Sequence, residues 1–317
     1  MKTGKTPPTA HQVVQLGASA DRALGRPRKG QIAAVFDRSV YCLMDGDYIC
    51  VGVDSLGMCP LNVVTSVPEG SAWSSFGFYT GMPVEVDWEF MRIGNDFSLK
   101  LNGAPVWRPL LPADLDYEKV ENGLAALGEE AAGRIPMDGL GRLMDPVFSG
   151  NSFADNYLVC AANALKVLQG WLKMALRDPL GNLDPDVHAW QDLLGLGPGL
   201  TPSGDDLTGG MMLALHRLGH MSVLRSLSNA VVPMLDVRTN PISAAHLKAA
   251  MEGMGSEAVH RAMDSILAND RAGLPAALGR IEKVGHTSGW DALAGVVVVF
   301  RLWLEINEKR SRPQQGH

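Results

Sequence analysis

The feature that most constrains this chain is a change of hydrophobic period near Pro109-Leu-Leu-Pro112. Before it, apolar residues fall in short β-branched or aromatic runs: Ile32–Phe36, Val40–Met44, Tyr48–Val53 and Asn62–Val67. Val84 to Phe90 alternates apolar and polar side chains, the pattern of a strand with one wet face. Asp45-Gly46 and Gly94-Asn-Asp96 supply turn residues between such runs. Beyond Pro112 the period becomes 3.6. Helices are expected over 117–132, 153–175, 186–194, 205–218, 221–235, 244–251, 257–268, 274–284 and 291–307. The expected fold is therefore α+β. An antiparallel β domain (barrel or sandwich) covers residues 1–112, and a predominantly helical domain covers 113–317.

The 317 residues suit two domains, and 46% hydrophobic with 20% charged residues is an ordinary globular balance. A net charge of −6 gives no sign of a nucleic-acid binder. Residues 1–30 hold six cations (Lys2, Lys5, Arg22, Arg26, Arg28, Lys29) against Asp21, net +5, which leaves −11 for the rest. They read as a solvated basic arm. Cys42, Cys50, Cys59 and Cys160 form neither a CxxC pair nor a zinc-finger spacing, so they read as reduced thiols in a cytoplasmic protein. No secretory h-region is visible, and the apolar run Ala292–Phe300 is well short of the ~20 residues of a membrane span. It reads as a buried core helix.

The chemistry concentrates in Gly195-Leu-Gly-Pro-Gly-Leu-Thr-Pro-Ser-Gly-Asp-Asp-Leu-Thr-Gly-Gly210. This is a glycine-rich turn delivering the chain into a helix N-terminus, where free N–H groups favour anions. Thr201 to Gly210 has an echo at His286 to Gly295. Ser203 corresponds to Ser288, Gly204 to Gly289, Asp206 to Asp291 and Gly210 to Gly295. Arg238-Thr-Asn-Pro-Ile-Ser243 and Ser149-Gly-Asn-Ser152 are two further hydroxyl-rich approaches to helices. Several helix N-termini are therefore expected to face one point.

Each N-terminus carries roughly +0.5 of an elementary charge. Two or three converging would hold a phosphate or carboxylate with little help from cationic side chains. Gly197, Gly199, Gly204 and Gly289 are expected to bring N–H groups close to it, and Thr201, Ser203, Thr287 and Ser288 to add O–H donors. Plain helix capping accounts for a single such loop equally well. Asp206 and Asp291 are expected to brace the two loops, leaving Asp205 for the substrate or for Mg²⁺ through water. Arg238, Thr239 and Ser243 are candidates for a second anion. His286 can donate to an anion or act as an acid. His216 and His220 share a helix face without an HExxH frame. No P-loop, Rossmann fingerprint or GxSxG elbow is present, and no Cys adjoins an obvious base.

The first motif and the downstream His286-Thr-Ser-Gly-Trp-Asp291 resemble those of the AllH-type family, associated with a subunit of oxamate carbamoyltransferase in allantoin and purine nitrogen catabolism. The resemblance implies carbamoyl transfer between oxamate or oxalurate and phosphate, with partner subunits and small anionic substrates such as carbamoyl phosphate. No cofactor is expected beyond a possible Mg²⁺. Asp205, Asp206 and His286 are then the catalytic candidates. Two other readings stay open: a non-catalytic small-anion sensor, and a Mg²⁺-dependent phosphotransferase or hydrolase built on Asp205 and Asp206. On the anion-loop reading, Gly204→Val with a bulky residue at 203 is expected to abolish binding and spare the fold.

Overall fold

A computed structural model describes residues 10–101, 103–110, 115–145, 156–179, 181, 185 and 187–311. The Ser149–Ser152 approach, Lys2, Lys5 and residues 312–317 lie outside them. The chain divides into Met1–Arg108 and Pro109–His317.

The first unit is a barrel. Its strands are β1 (Ala10–Gly17), β2 (Arg28–Val35), β3 (Ser39–Met44), β4 (Asp47–Gly52), β5 (Asn62–Thr65), β6 (Pro83–Val86), β7 (Phe90–Ile93) and β8 (Phe97–Lys100). They run in the order β5-β4-β3-β2-β6-β7-β8-β1, and β1 pairs antiparallel with β5 to close the ring. A two-residue strand β9 (Val106–Trp107) adds to β1 outside it. The barrel is mixed, because β4–β5 and β1–β8 are parallel. Closure leaves those eight strands without a free edge. Alternate side chains such as Ile32, Val40, Cys42, Ile49, Val51, Val84, Met91 and Leu99 fill the buried core.

Local chemistry explains most of these strands. Asp45 and Gly46 take φ of 50° and 94°, the left-handed pair that a tight β3–β4 hairpin requires. The alternating stretch 84–90 is not one strand. Asp87 Oδ1 accepts the N–H groups of Glu89 and Phe90 at 2.8 and 2.7 Å and turns the chain between β6 and β7. The basic arm is also corrected from residue 10 onward. Ala10–Gly17 is a barrel strand, α1 (Ala18–Leu24) follows it, and Arg28 is buried with bonds to the Met44 carbonyl and Asp47. The arm's positive charges concealed Val13 and Leu16, which both point into the core.

The second unit has ten α-helices among the described residues: α2 (Tyr117–Ala131), α3 (Asn156–Arg177), α4 (Val187–Leu193), α5 (Ser203–Arg217), α6 (Met221–Val231), α7 (Leu235–Arg238), α8 (Pro241–Met251), α9 (Glu257–Ala268), α10 (Leu274–Ile281) and α11 (Ser288–Ser311). The helix expected over 221–235 ends early, because Pro233 tightens the chain into a 3₁₀ turn before α7. The apolar run 292–300 lies within α11. Leu293, Ala294 and Val296–Phe300 are all buried there, the core helix anticipated. Among the described residues no helix is long and apolar enough to cross a membrane.

Helices α5 and α11 pack closest. A Cβ on Gly210 would stand 1.9 Å from the Ala292 carbonyl oxygen, and one on Gly295 would stand 2.0 Å from the Leu207 oxygen. The contact is reciprocal. Each glycine lies seven residues past its helix's first serine, and each carbonyl four residues past the other helix's first serine. The echo is thus a pseudo-two-fold pair in space. Gly210→Ala and Gly295→Ala should each lower stability by about 2 kcal/mol or more through overpacking. Gly170→Ala, where a Cβ meets nothing within 4 Å, should raise it by about 0.5–1 kcal/mol. Thermal unfolding followed by circular dichroism checks both signs.

Candidate functional site

The crossing of α5 and α11 brings their N-termini together. Thr201 Oγ1 and Ser288 Oγ are 3.0 Å apart, although 87 positions separate them in the chain. The acids are exchanged between the helices. The Ser288 and Thr201 hydroxyls lie beside Asp206 of α5, and the Ser203 and Thr287 hydroxyls lie beside Asp291 of α11. Each first-turn acid thus meets the first serine of the opposite helix.

The hydrogen bonds divide the acids differently from the sequence expectation. Asp205 is the brace between segments. Its Oδ1 accepts the Gly195 N–H at 2.7 Å, and its Oδ2 accepts the Ser243 hydroxyl at 2.6 Å and the Thr239 hydroxyl. Asp205 is 2% exposed, so this carboxyl ties the glycine-rich turn to the start of α8. Asp291, fully buried, braces a segment that the sequence reading missed: its Oδ1 accepts the Leu140 and Gly141 N–H groups at 2.5 and 3.0 Å. The only signal there was the short glycine-rich Asp138-Gly-Leu-Gly141. Asp206 Oδ2 and Asp291 Oδ2 are buried without any hydrogen-bond partner.

The glycines also act differently from expectation. The N–H groups of Gly204 and Gly289 are already used, donating to the Leu196 and Val284 carbonyls at 2.9 and 3.0 Å. Their missing side chains make room for backbone instead of a ligand. A Cβ on Gly204 would stand 1.8 Å from the Leu193 oxygen, and one on Gly289 would stand 2.3 Å from the Ile281 oxygen. Gly197 and Gly199 take φ of 101° and 105°, which shape the partly exposed turn leading to Thr201. Asn240 joins the start of α8 to the glycine-rich turn. It caps α8 through Oδ1, accepting from the Ile242 and Ser243 N–H groups, and its Nδ2 donates to the Leu200 carbonyl at 2.7 Å. Only a side chain with both an acceptor and a donor does both.

Two candidates sit away from this cluster's buried bonds. The Arg238 guanidinium donates to the Gln191 carbonyl and is exposed. His286 is exposed and pairs through Nε2 with Asp138 at 2.8 Å. Among the described residues no three His, Cys, Asp or Glu side chains converge to hold a metal ion.

Electrostatics sets the protonation of the three acids. Burial raises Asp205, opposed by the Ser243, Thr239 and Gly195 donors. Burial raises Asp291, opposed by Ser203, Thr287, Leu140 and Gly141. Asp206 lies well above its ordinary 3.8: burial dominates, the Asp291 and Asp205 charges add to it, and the Ser288 and Thr201 hydroxyls offset part. A folded carboxyl that binds its proton more tightly than the unfolded one stabilises the fold fully below the unfolded value. That stability is lost as pH rises through the folded value. Asp206→Asn should therefore unfold at a higher temperature than the parent at pH 8, with the gap closing towards pH 4; Tm measured across that range checks it. Gly204→Val, which forces a side chain into the Leu193 carbonyl, should fail to fold instead of only losing a ligand. Far-ultraviolet circular dichroism with gel filtration decides between these outcomes.

No solved structure matches the chain. Residues 193–300 run from the end of α4 through most of α11 and hold both helix entrances, Arg238, Thr239 and Ser243. This segment matches the model of the family described as oxamate carbamoyltransferase subunit AllH, the family its motifs resemble.

Proposed function

We propose that this chain is a subunit of an oxamate carbamoyltransferase and that the paired N-termini of α5 and α11 bind its small anionic substrate. The reaction exchanges a carbamoyl group between oxamate and phosphate. The C–N bond of oxalurate breaks as a C–O bond to hydrogen phosphate forms, and the phosphate's proton passes to the departing nitrogen, giving oxamate and carbamoyl phosphate. The observation that carries this reading is the reciprocal crossing, in which Thr201 and Ser288 meet at 3.0 Å between two helix dipoles. Each dipole contributes roughly +0.5 of an elementary charge at that point. Donors held rigidly by a packed helix crossing stabilise developing negative charge without reorganising. No covalent nucleophile is needed, because phosphate itself attacks the carbamoyl carbon.

The family description of the match as a subunit supports work with partner chains. Within that assembly this chain supplies the Thr201 and Ser288 hydroxyls, with Ser203 and Thr287 beside Asp291. Asp205 serves by holding the Gly195 turn and the Thr239–Ser243 segment in register. Arg238 and His286 serve the outer part of the site, where both are exposed.

The test is formation of carbamoyl phosphate from oxalurate and phosphate, by this chain alone and with candidate partner subunits. The Thr201→Val, Ser288→Ala double variant should keep its Tm and lose about tenfold to a hundredfold in kcat/KM, the scale of removing polar donors from a charged transition state. Undiminished activity would place the substrate elsewhere.

A further inference from the structure

Helix α3 buries Leu165, Leu168, Leu172 and Ala175 and leaves its opposite side to solvent. That outer side is not polar. Val159, Val167 and Met174 are 36, 47 and 52% exposed. Asn163, Val167, Gly170, Met174 and Arg177 are all exposed and follow one another at alternating spacings of four and three residues. This is the seam pattern by which one helix packs along another. At its centre Gly170 leaves open space, where a Cβ would meet nothing within 4 Å. A second helix can approach the α3 backbone closely there.

Two further observations say what covers this seam. The first is charge. The 22 residues of α3 contain no acid, so Lys166, Lys173 and Arg177 make the helix +3 in a chain of net −6. At ~3.6 residues per turn these cations lie within about 40° of one another, along one edge of the seam. Lys173 pairs with Glu305 of α11, while among the described residues no acid pairs with Lys166 or Arg177. The second is shape. Arg177 also lines a cavity of about 620 Å³ at the C-terminal end of the seam, with an apolar wall of Leu176, Pro179, Trp303 and Ile306. That is room for a bulky apolar side chain of a docked helix. A second copy of α3 does not fit, because it would set cations against cations with no acid on either helix.

We infer that the outer face of α3 is the docking surface for a partner subunit. That subunit lays an amphipathic helix along residues 163–177, sets acidic side chains against Lys166 and Arg177, and places an apolar anchor in the cavity beside Trp303. This rests on the subunit reading above and adds the surface through which the chain assembles. Apolar burial along the seam supplies affinity, and the acid–cation pairs fix partner and orientation. None of these residues belongs to the paired N-termini of α5 and α11, so assembly and substrate binding can be tested apart.

The experiment is gel filtration and isothermal titration of the full chain against purified candidate partner subunits, at low and at high salt. The parent should form a complex whose affinity falls as salt rises. Val167→Glu with Met174→Glu should weaken it about tenfold or more. Lys166→Glu with Arg177→Glu should do the same and remove the salt dependence. All four side chains are exposed, so both double variants should keep the parent's Tm. Val14→Glu, at a comparably exposed apolar position in the first unit, should leave the affinity unchanged. A complex that survives both α3 variants overturns this inference and leaves the subunit reading standing. An affinity indifferent to the charge reversals rules out the acidic helix and overturns it too. A dimer of the chain alone that Met174→Glu dissolves would assign the face to a second copy and overturn the inference. Absence of any complex, with carbamoyl phosphate made by the chain alone, overturns both this inference and the subunit reading.

Discussion

The second unit depends on one close contact: helix backbone against helix backbone where α5 crosses α11. Gly210 rests on the Ala292 carbonyl and Gly295 on the Leu207 carbonyl, distances that admit no Cβ. Dispersion falls steeply with separation, so two helices that touch through backbone pack more tightly than helices held apart by side chains. Both glycines lie in the second turn after their serine. The crossing therefore fixes the two N-termini side by side, and everything polar follows from that placement. Thr201 reaches Ser288, and each first-turn acid finds the other helix's serine.

A second layer of backbone contacts holds the approaches. Gly204 admits the Leu193 carbonyl at the end of α4, and Gly289 admits the Ile281 carbonyl at the end of α10. Each helix–turn–helix is folded back on itself, and the two are laid against each other with two-fold character. Asp205 breaks that symmetry by tying in Thr239 and Ser243, while Asp291 ties in Leu140 and Gly141. The two bracing acids thus recruit different segments, so the site has two unlike rims around a like centre.

Much of this was legible in the residues. The hairpin at Asp45-Gly46, the helical half and the core role of 292–300 follow from local pattern, because turn geometry and amphipathic period are local properties. The echo between Thr201–Gly210 and His286–Gly295 was also readable. Its meaning was read as ligand contact, while the structure spends Gly204 and Gly289 on helix packing. A glycine's reason is invisible without the atom that approaches it. The strand Ala10–Gly17 was masked by neighbouring charge, and the turn at Asp87 by an unbroken alternation that its side chain overrides. The partners of Asp205 and Asp291 lie up to 151 positions away, and no spacing rule reaches that far.

The sequence by itself determined the two kinds of secondary structure, the turn chemistry and the serine, glycine and aspartate content of both helix entrances, because propensity and period act over a few residues. Only the tertiary structure decided that the barrel closes, that Asp205 binds protein donors, and that Asp206 and Asp291 each keep one buried oxygen free. These depend on which surfaces meet. A carboxyl's role is set by the donors that reach it, and in a folded chain those come from wherever the backbone returns.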